Sequence, residues 1–332
     1  MLDEVENPKL VESLTRYLDE IEAGEHSDYD AYLIATRAIM LAARLGFRNM
    51  ELRTRLFTDS QKFGVNFLPV HFYNPVPDLD HIPESTWSLR YDSIPGLEVD
   101  IDKVEALLKK LGAYSEEFAG TKTGATSRAW GGESFGAGDA TLLYCMLRHF
   151  KPKRVIEIGS GVSTLVGLRA FDANGSGRYT CIEPYPNRTI TDLAHRKRIE
   201  LKDEFVQNVP IEEFKKLEAG DVLFIDSTHV AQIGSDVVYE LLHVVPHINP
   251  GVIVHVHDIF LPAEFSPEWI KDKQLFWNEQ YVLAAFMAFN TDYEMLIPNY
   301  ALRDIEALRQ ASAANFPNVE HPGGGSFWFR RK

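Results

Sequence analysis

Residues 154–165, RVIEIGSGVSTL, decide the fold of this chain. Val155, Ile156 and Ile158 read as a short apolar strand interrupted by one carboxylate, Glu157. Gly159-Ser160-Gly161 then supplies a tight turn, and Ser163-Thr164 opens an apolar helix through Leu165, Val166 and Leu168. Strand, turn and helix start together form a backbone cradle. Glycine lets the main chain approach a ligand closely, and the first turn of a helix presents N–H groups that have no intrahelical partner. Many ligands use such a cradle, so its departures from the phosphate motifs carry the information. A dinucleotide fingerprint asks for a third glycine where Thr164 stands, and no Gly-Lys-Ser/Thr follows as a P-loop requires. Glu157 would repel a pyrophosphate and attract a ligand ammonium.

A strand ending in E-x-G-x-G resembles motif I of class I S-adenosylmethionine (AdoMet) methyltransferases, and the chain beyond it keeps a βαβα rhythm. The second strand, Tyr179 to Ile182, ends at Glu183. A carboxylate about 20 residues past the glycine turn is placed to accept both hydroxyls of a ribose, a feature that NAD and AdoMet sites share. Ile199-Glu200-Leu201 reads as a short strand, and Phe205-Val206-Gln207 follows where an adenine can pack. Asp221 to Asp226 is a buried strand ending on a carboxylate, with Ser227-Thr228-His229 behind it. After the turn Asn249-Pro250-Gly251, the strand from Val252 ends in His257-Asp258. Two neighbouring parallel strands thus end in Asp226 and in His257-Asp258, and ligand sites of open α/β sheets lie at such carboxyl ends. His255 shares the alternating face of His257 and reads as a hydrogen-bonded core residue. Tyr293 to Ile297 and Ser326 to Phe329 read as a closing antiparallel pair at the sheet edge.

Before the glycine turn, residues 1–60 carry helical spacing, with Gly46 ending a helix that contains Tyr32, Ala35, Ile39 and Ala42. Five prolines between 69 and 95 punctuate an aromatic stretch that includes Phe72, Tyr73 and Trp87, which excludes a regular helix or central strand. It reads as a lid over the acceptor or as a loop wrapping the core. Residues 101–118 form a further helix, and the Gly/Ser/Thr-rich run 120–135 reads as mobile. Asp139 either caps the next helix or touches the ligand across the cradle. These readings divide the chain into a helical cap with a Pro/aromatic lid, residues 1–120, and a ligand-binding domain, residues 121–332.

Composition limits the partners. Of the 332 residues, 45% are hydrophobic and 25% charged, the balance of an ordinary globular protein. A formal charge of −14, from 34 basic and 48 acidic residues, argues against nucleic acid, whose phosphates need clustered Lys and Arg. Cys145 and Cys181 lie in separate core elements and form no metal or disulfide framework. No run of about 18 apolar residues spans a membrane and no signal peptide is visible, so the expectation is a cytoplasmic protein. The helical N-terminus is a surface on which a homo-oligomer could form.

FGAGDATLLYCMLRHFKPKRVIEIGSGVSTL, LFIDSTHV, PGVIVHVHDIFLP, FWNEQYVLAAF and GGGSFWFRR are together similar to the small-molecule methyltransferase family grouped with macrolide-sugar O-methyltransferases and cephalosporin-hydroxylase-like proteins. The resemblance runs from about residue 130 to the end and includes HFYNPVPD at 71–78. It implies an α/β, Rossmann-like seven-stranded class I methyltransferase sheet, mostly parallel with an antiparallel last strand, behind a helical and Pro/aromatic N-terminal extension. It further implies AdoMet bound by Glu157, Gly159, Ser160, Gly161, Ser163 and Glu183, with Asp139 and Asp226 across the cradle.

In characterised relatives a divalent metal, usually magnesium, sits on an Asp after the fourth strand and an acidic pair after the fifth. The matching positions are Asp226, His257 and Asp258. His257 departs from the pattern, and an imidazole among carboxylates shifts the preference from Mg²⁺ toward Mn²⁺, Fe²⁺ or Zn²⁺. Without a metal, His229 or His257 would take the proton itself. The activity so implied is methyl transfer to an oxygen of a small-molecule acceptor, with Asp226, His229 and His257 as catalytic residues. An NAD(P) oxidoreductase and an AdoMet-binding protein without turnover are the alternatives.

Overall fold

Short apolar strands with buried residues on both faces require cover on both sides, and that is how the chain folds. The computed structural model describes residues 12–332 apart from 14, 18, 21, 22, 25, 26, 48, 121–134 and 320–322. Residues 121–134 of the Gly/Ser/Thr-rich run therefore lie outside the described residues. The helices used below are α1 (Asp28–Gly46), α2 (Met50–Gln61), α3 (Ile101–Gly112), α4 (Ala137–Phe150), α5 (Val162–Asn174) and α6 (Glu279–Met287). The strands are β1 (Arg154–Ile158), β2 (Arg178–Ile182), β3 (Glu200–Lys202), β4 (Val222–Ile225), β5 (Ile253–Val256), β6 (Tyr293–Pro298) and β7 (Phe327–Arg331).

The chain divides into two compact units, Met1–Ile82 and Pro83–Lys332. In the first, α1 ends at Gly46, where a side chain would press on Leu56 of α2. Asn49 caps α2 by accepting from the Glu51 and Leu52 amides. In the Pro/aromatic stretch His71 stacks on Phe72, with centroids 4.1 Å apart, and Phe72 meets Tyr73 edge to face at 4.4 Å. The division falls at 82/83, whereas the sequence reading drew it at 120/121. Helix α3 accounts for the difference: its Val104, Leu108 and Leu111 are buried in the core of the sheet unit.

The second unit holds a seven-stranded sheet in the order β3-β2-β1-β4-β5-β7-β6. Strands β1 to β5 run parallel, and β7 is antiparallel to both β5 and β6. The period-two alternation sends Val155, Phe224 and Trp328 to one core layer and Ile156, Ile158, Ile225 and Val256 to the other. The expected α/β sheet with its antiparallel ending is borne out. The ending also separates this fold from the dinucleotide fold, whose order is 3-2-1-4-5-6 without an inserted antiparallel strand.

Cys145 and Cys181 are buried and unpaired. His255 is buried as expected but not by hydrogen bonding: its ring stacks on Phe224 at 3.9 Å, and neither nitrogen has a hydrogen-bond partner. Burial pushes its pKa well below the ordinary value, so the ring is neutral. Among the described residues no helix is long and apolar enough to cross a membrane.

Candidate active site

The glycine turn leaves β1 at the centre of the sheet, with Gly159 donating to the Ile182 carbonyl at 3.0 Å. Gly159 has φ of 77°, and a Cβ there would collide with the Asp226 carbonyl oxygen. Both the left-handed backbone and the close approach of β4 therefore demand glycine. Gly159→Ala is expected to cost about 2–4 kcal/mol of stability, read as a lower urea midpoint; a change below about 0.5 kcal/mol would show that the turn relaxes freely. A Cβ at Gly161, by contrast, would meet open space.

Thr164, which stands where a dinucleotide fingerprint has glycine, closes the turn from inside. Its hydroxyl oxygen accepts the Gly161 amide at 3.2 Å and donates to Glu157 Oε2 at 2.6 Å. Ser163 donates to Glu157 Oε1, also at 2.6 Å. Glu157 is thus fully buried beneath the turn and ties β1 to the start of α5. Neither Glu157 nor Ser163 lines the cleft beside the turn, where the sequence reading placed both.

Burial raises the Glu157 carboxyl to about 7, against the opposing pull of the Ser163 and Thr164 hydroxyls. A raised carboxyl favours the protonated native form. Its contribution is full below about pH 4.5 and is lost as pH rises through about 7, at most about 3 kcal/mol. Urea stability should therefore fall between about pH 5 and pH 8, and fall less in Glu157→Gln. Equal slopes in the two proteins would exclude this group as the source.

Glu183, at the end of β2, accepts the Ser160 amide at 3.1 Å and the Tyr185 amide at 2.8 Å. The carboxylate is thereby fixed on the rim of a cleft of about 230 Å³, lined by Gly159, Glu183, Tyr185, Phe205, Gln207 and Asp226 among others. Tyr185 and Phe205 meet edge to face at 5.9 Å on its open side. The Ser160 hydroxyl is buried and has no hydrogen-bond partner.

The second constellation begins where the cleft ends, at Asp226. His229 Nε2 lies 3.5 Å from Asp226 Oδ1 and 3.5 Å from Asp258 Oδ2. These three side chains present ligand atoms that all lie within 4.8 Å of one another. His229 and Asp258 both adopt left-handed backbone, with φ of 63° and 54°. A non-glycine residue held there costs about 1–3 kcal/mol, and such outliers concentrate at functional sites. The His229 ring also lies on Trp277 at 4.3 Å, and its Nδ1 is 2.9 Å from Glu279 Oε2.

The sequence reading grouped His257 with Asp226 and Asp258, and its ring lies beside both, but the converging trio holds His229 in its place. His257 Nδ1 is 3.4 Å from Asp226 Oδ1 and 3.5 Å from Asp258 Oδ1, while Nε2 faces Asp139 Oδ2 at 3.7 Å. The ring is buried and makes no aligned hydrogen bond. Burial alone would lower its pKa, but Asp226, Asp258 and Asp139 outweigh that and push it well above the ordinary value. The carboxylates around it thus favour the protonated ring. Burial likewise acts to raise the Asp226 carboxyl, and His257 holds it below the usual range instead.

Asp139 neither caps α4 nor reaches the cleft. Gly136 is the cap, and Asp139 sits in the first turn with its carboxylate aimed at the start of β7. Oδ1 accepts the Ser326 amide and hydroxyl at 3.0 and 2.6 Å and the Asn299 side chain at 2.7 Å; Oδ2 accepts the Gly325 amide at 3.2 Å. It latches α4 to the sheet edge and backs His257. The sequence reading assigned no role to Glu279, although it lies in the quoted run FWNEQ; a carboxylate opening a helix looks there like ordinary capping-region chemistry.

Residues 156–259, from β1 to just past β5, match the model of a methyltransferase domain. The sheet order and the cradle at β1 are those of the class I methyltransferase fold. Among curated proteins the chain is similar to an uncharacterized protein of Archaeoglobus fulgidus, 29% identical over 170 residues that cover 48% of this chain and 76% of that one. Among solved structures, the O-methyltransferase TomG of Streptomyces achromogenes, in complex with S-adenosylmethionine, is 16% identical with a TM-score of 0.41, over 66% of this chain and 95% of that chain. An O-methyltransferase of Bacillus cereus, solved with S-adenosylhomocysteine, is 13% identical with a TM-score of 0.34, over 71% and 93%.

Proposed function

We propose that the protein transfers the methyl group of AdoMet to a hydroxyl oxygen of a small molecule at the ends of β4 and β5. The observation that carries this reading is the double position of Asp226, which lines the cofactor cleft and stands 3.5 Å from the His229 imidazole. The sulfonium of AdoMet already activates the methyl group. What remains for the protein is to align an acceptor oxygen and take its proton. His229 suits that task through Nε2, which faces the part-buried Asp226 and Asp258 carboxylates. His257 is less suited, because its Nε2 is turned to the buried Asp139 carboxylate.

The cleft suits the donor. Gly161 leaves room over the turn, and Glu183 is held by two amides on the rim where ribose hydroxyls would be accepted. The donor set Asp226, His229 and Asp258 also suits a divalent cation, and two carboxylates with one imidazole favour Mn²⁺, Fe²⁺ or Zn²⁺ over Mg²⁺. When bound there, such an ion would lower the pKa of an acceptor hydroxyl. The test is methyl transfer from labelled AdoMet to a panel of phenols, sugars, carboxylic acids and amines, run with Mn²⁺ and with a chelator. Methylated hydroxyl compounds support the reading; products methylated only on nitrogen or carboxylate would overturn it.

A further inference from the structure

The turn into α6, Trp277-Asn278-Glu279-Gln280, grips both loops that carry the site. Toward the β4 loop, the Asn278 and Glu279 amides donate to the His229 carbonyl at 3.1 and 3.2 Å. Asn278 Oδ1 accepts the Ala231 amide at 2.6 Å, and Trp277 lies on the His229 ring. Toward the β5 loop, Gln280 accepts the Phe260 amide at 2.6 Å and donates to the Ala263 carbonyl at 3.1 Å. Glu279 and Gln280 are both buried, so neither is placed for solvation. Besides the Trp277 ring, Glu279 also reaches the His229 side chain: Oε2 lies 2.9 Å from His229 Nδ1, on the far side of the ring from Asp226 and Asp258.

We infer that Glu279 is a positioning residue for methyl transfer: its carboxylate accepts the Nδ1 proton of His229 and so leaves the Nε2 lone pair facing the acceptor. The role given to His229 rests on the function proposed above, but the tautomer does not. The geometry supports the assignment in two ways. A ring nitrogen that donates to a buried carboxylate fixes both the tautomer and the ring plane, as metal-bound and catalytic histidines commonly require. At 2.9 Å the Glu279 contact is a hydrogen-bond distance, whereas both contacts of Nε2 are 3.5 Å. The strained backbone at His229 is held against relaxation by the same turn.

The test is nitrogen NMR of the full-length protein labelled with ¹⁵N-histidine, at about pH 9 where a neutral ring reports its tautomer, with His229 assigned by His229→Asn. Wild type is expected to show Nδ1–H with an unprotonated Nε2. Glu279→Gln, whose side-chain oxygen still accepts, should retain that state, and Glu279→Ala should lose it to the Nε2–H form. A wild-type Nε2–H tautomer, a wild-type imidazolium, or an Nδ1–H state indifferent to Glu279→Ala would each overturn the inference. Should Glu279→Ala fail to fold, the wild-type tautomer and its loss in Glu279→Leu decide the question. Calorimetry with S-adenosylhomocysteine on the same wild-type sample keeps the two ideas apart: absent binding sinks the methyltransferase reading while the tautomer result stands.

Discussion

Replacing Glu183 with alanine is expected to weaken S-adenosylhomocysteine binding by at least about 100-fold, because the two charge-assisted hydrogen bonds proposed to the ribose, each worth about 1.5–3 kcal/mol, would be lost together. The same substitution removes the acceptor for the Ser160 and Tyr185 amides, so the turn that forms the cradle loses its support. Glu183→Gln keeps one acceptor oxygen and should lose about tenfold. Isothermal titration of both variants, beside thermal melts to verify folding, measures this. An alanine variant within about threefold of wild type would mean that the ribose is held elsewhere. Titration with NADH belongs in the same experiment, since a ribose-binding carboxylate alone does not distinguish the two ligands.

His229→Asn should have the opposite profile: turnover falls by about 10²–10⁴, the usual contribution of a positioned general base, while S-adenosylhomocysteine affinity changes little. The separation follows from position, since His229 is not among the residues lining the cofactor cleft whereas Asp226 is. Asp226→Asn should therefore impair both binding and turnover. Treatment with a chelator divides the two ways in which the trio can work. If wild-type turnover is lost on chelation and restored by Mn²⁺, the trio holds a cation. If turnover survives chelation, the imidazole takes the proton directly. Turnover of His229→Asn within about tenfold of wild type would remove His229 from the chemistry in either case.

The readings that needed only local sequence fared best. β1, the glycine turn and α5 follow from apolar runs and from residues with restricted backbone choice, and the closing strands β6 and β7 follow from alternation. Glu183 is legible because its distance from the turn is set by the length of one βαβ unit. Side-chain direction is less legible. Glu157 was expected at the ligand but turns under the helix, since Ser163 and Thr164 one turn further on present two hydroxyls that a buried carboxylate requires. Asp139 reads as a cap, yet its partners Asn299, Gly325 and Ser326 lie more than 150 residues away in the chain. No local pattern encodes that distance.

By itself the sequence determined the sheet, its antiparallel ending, the cradle and the two strand ends that carry Asp226 and His257-Asp258, because periodicity, glycine and strand termini are local properties. Only the tertiary structure decided the third carboxylate that each histidine meets. Both rings lie beside Asp226 and Asp258, but His257, following β5, turns its Nε2 to Asp139, whereas His229, in a loop bent through left-handed backbone, meets Glu279 from 50 residues away. That choice depends on how two loops are clamped by α6, and packing between distant elements leaves no period or spacing to read.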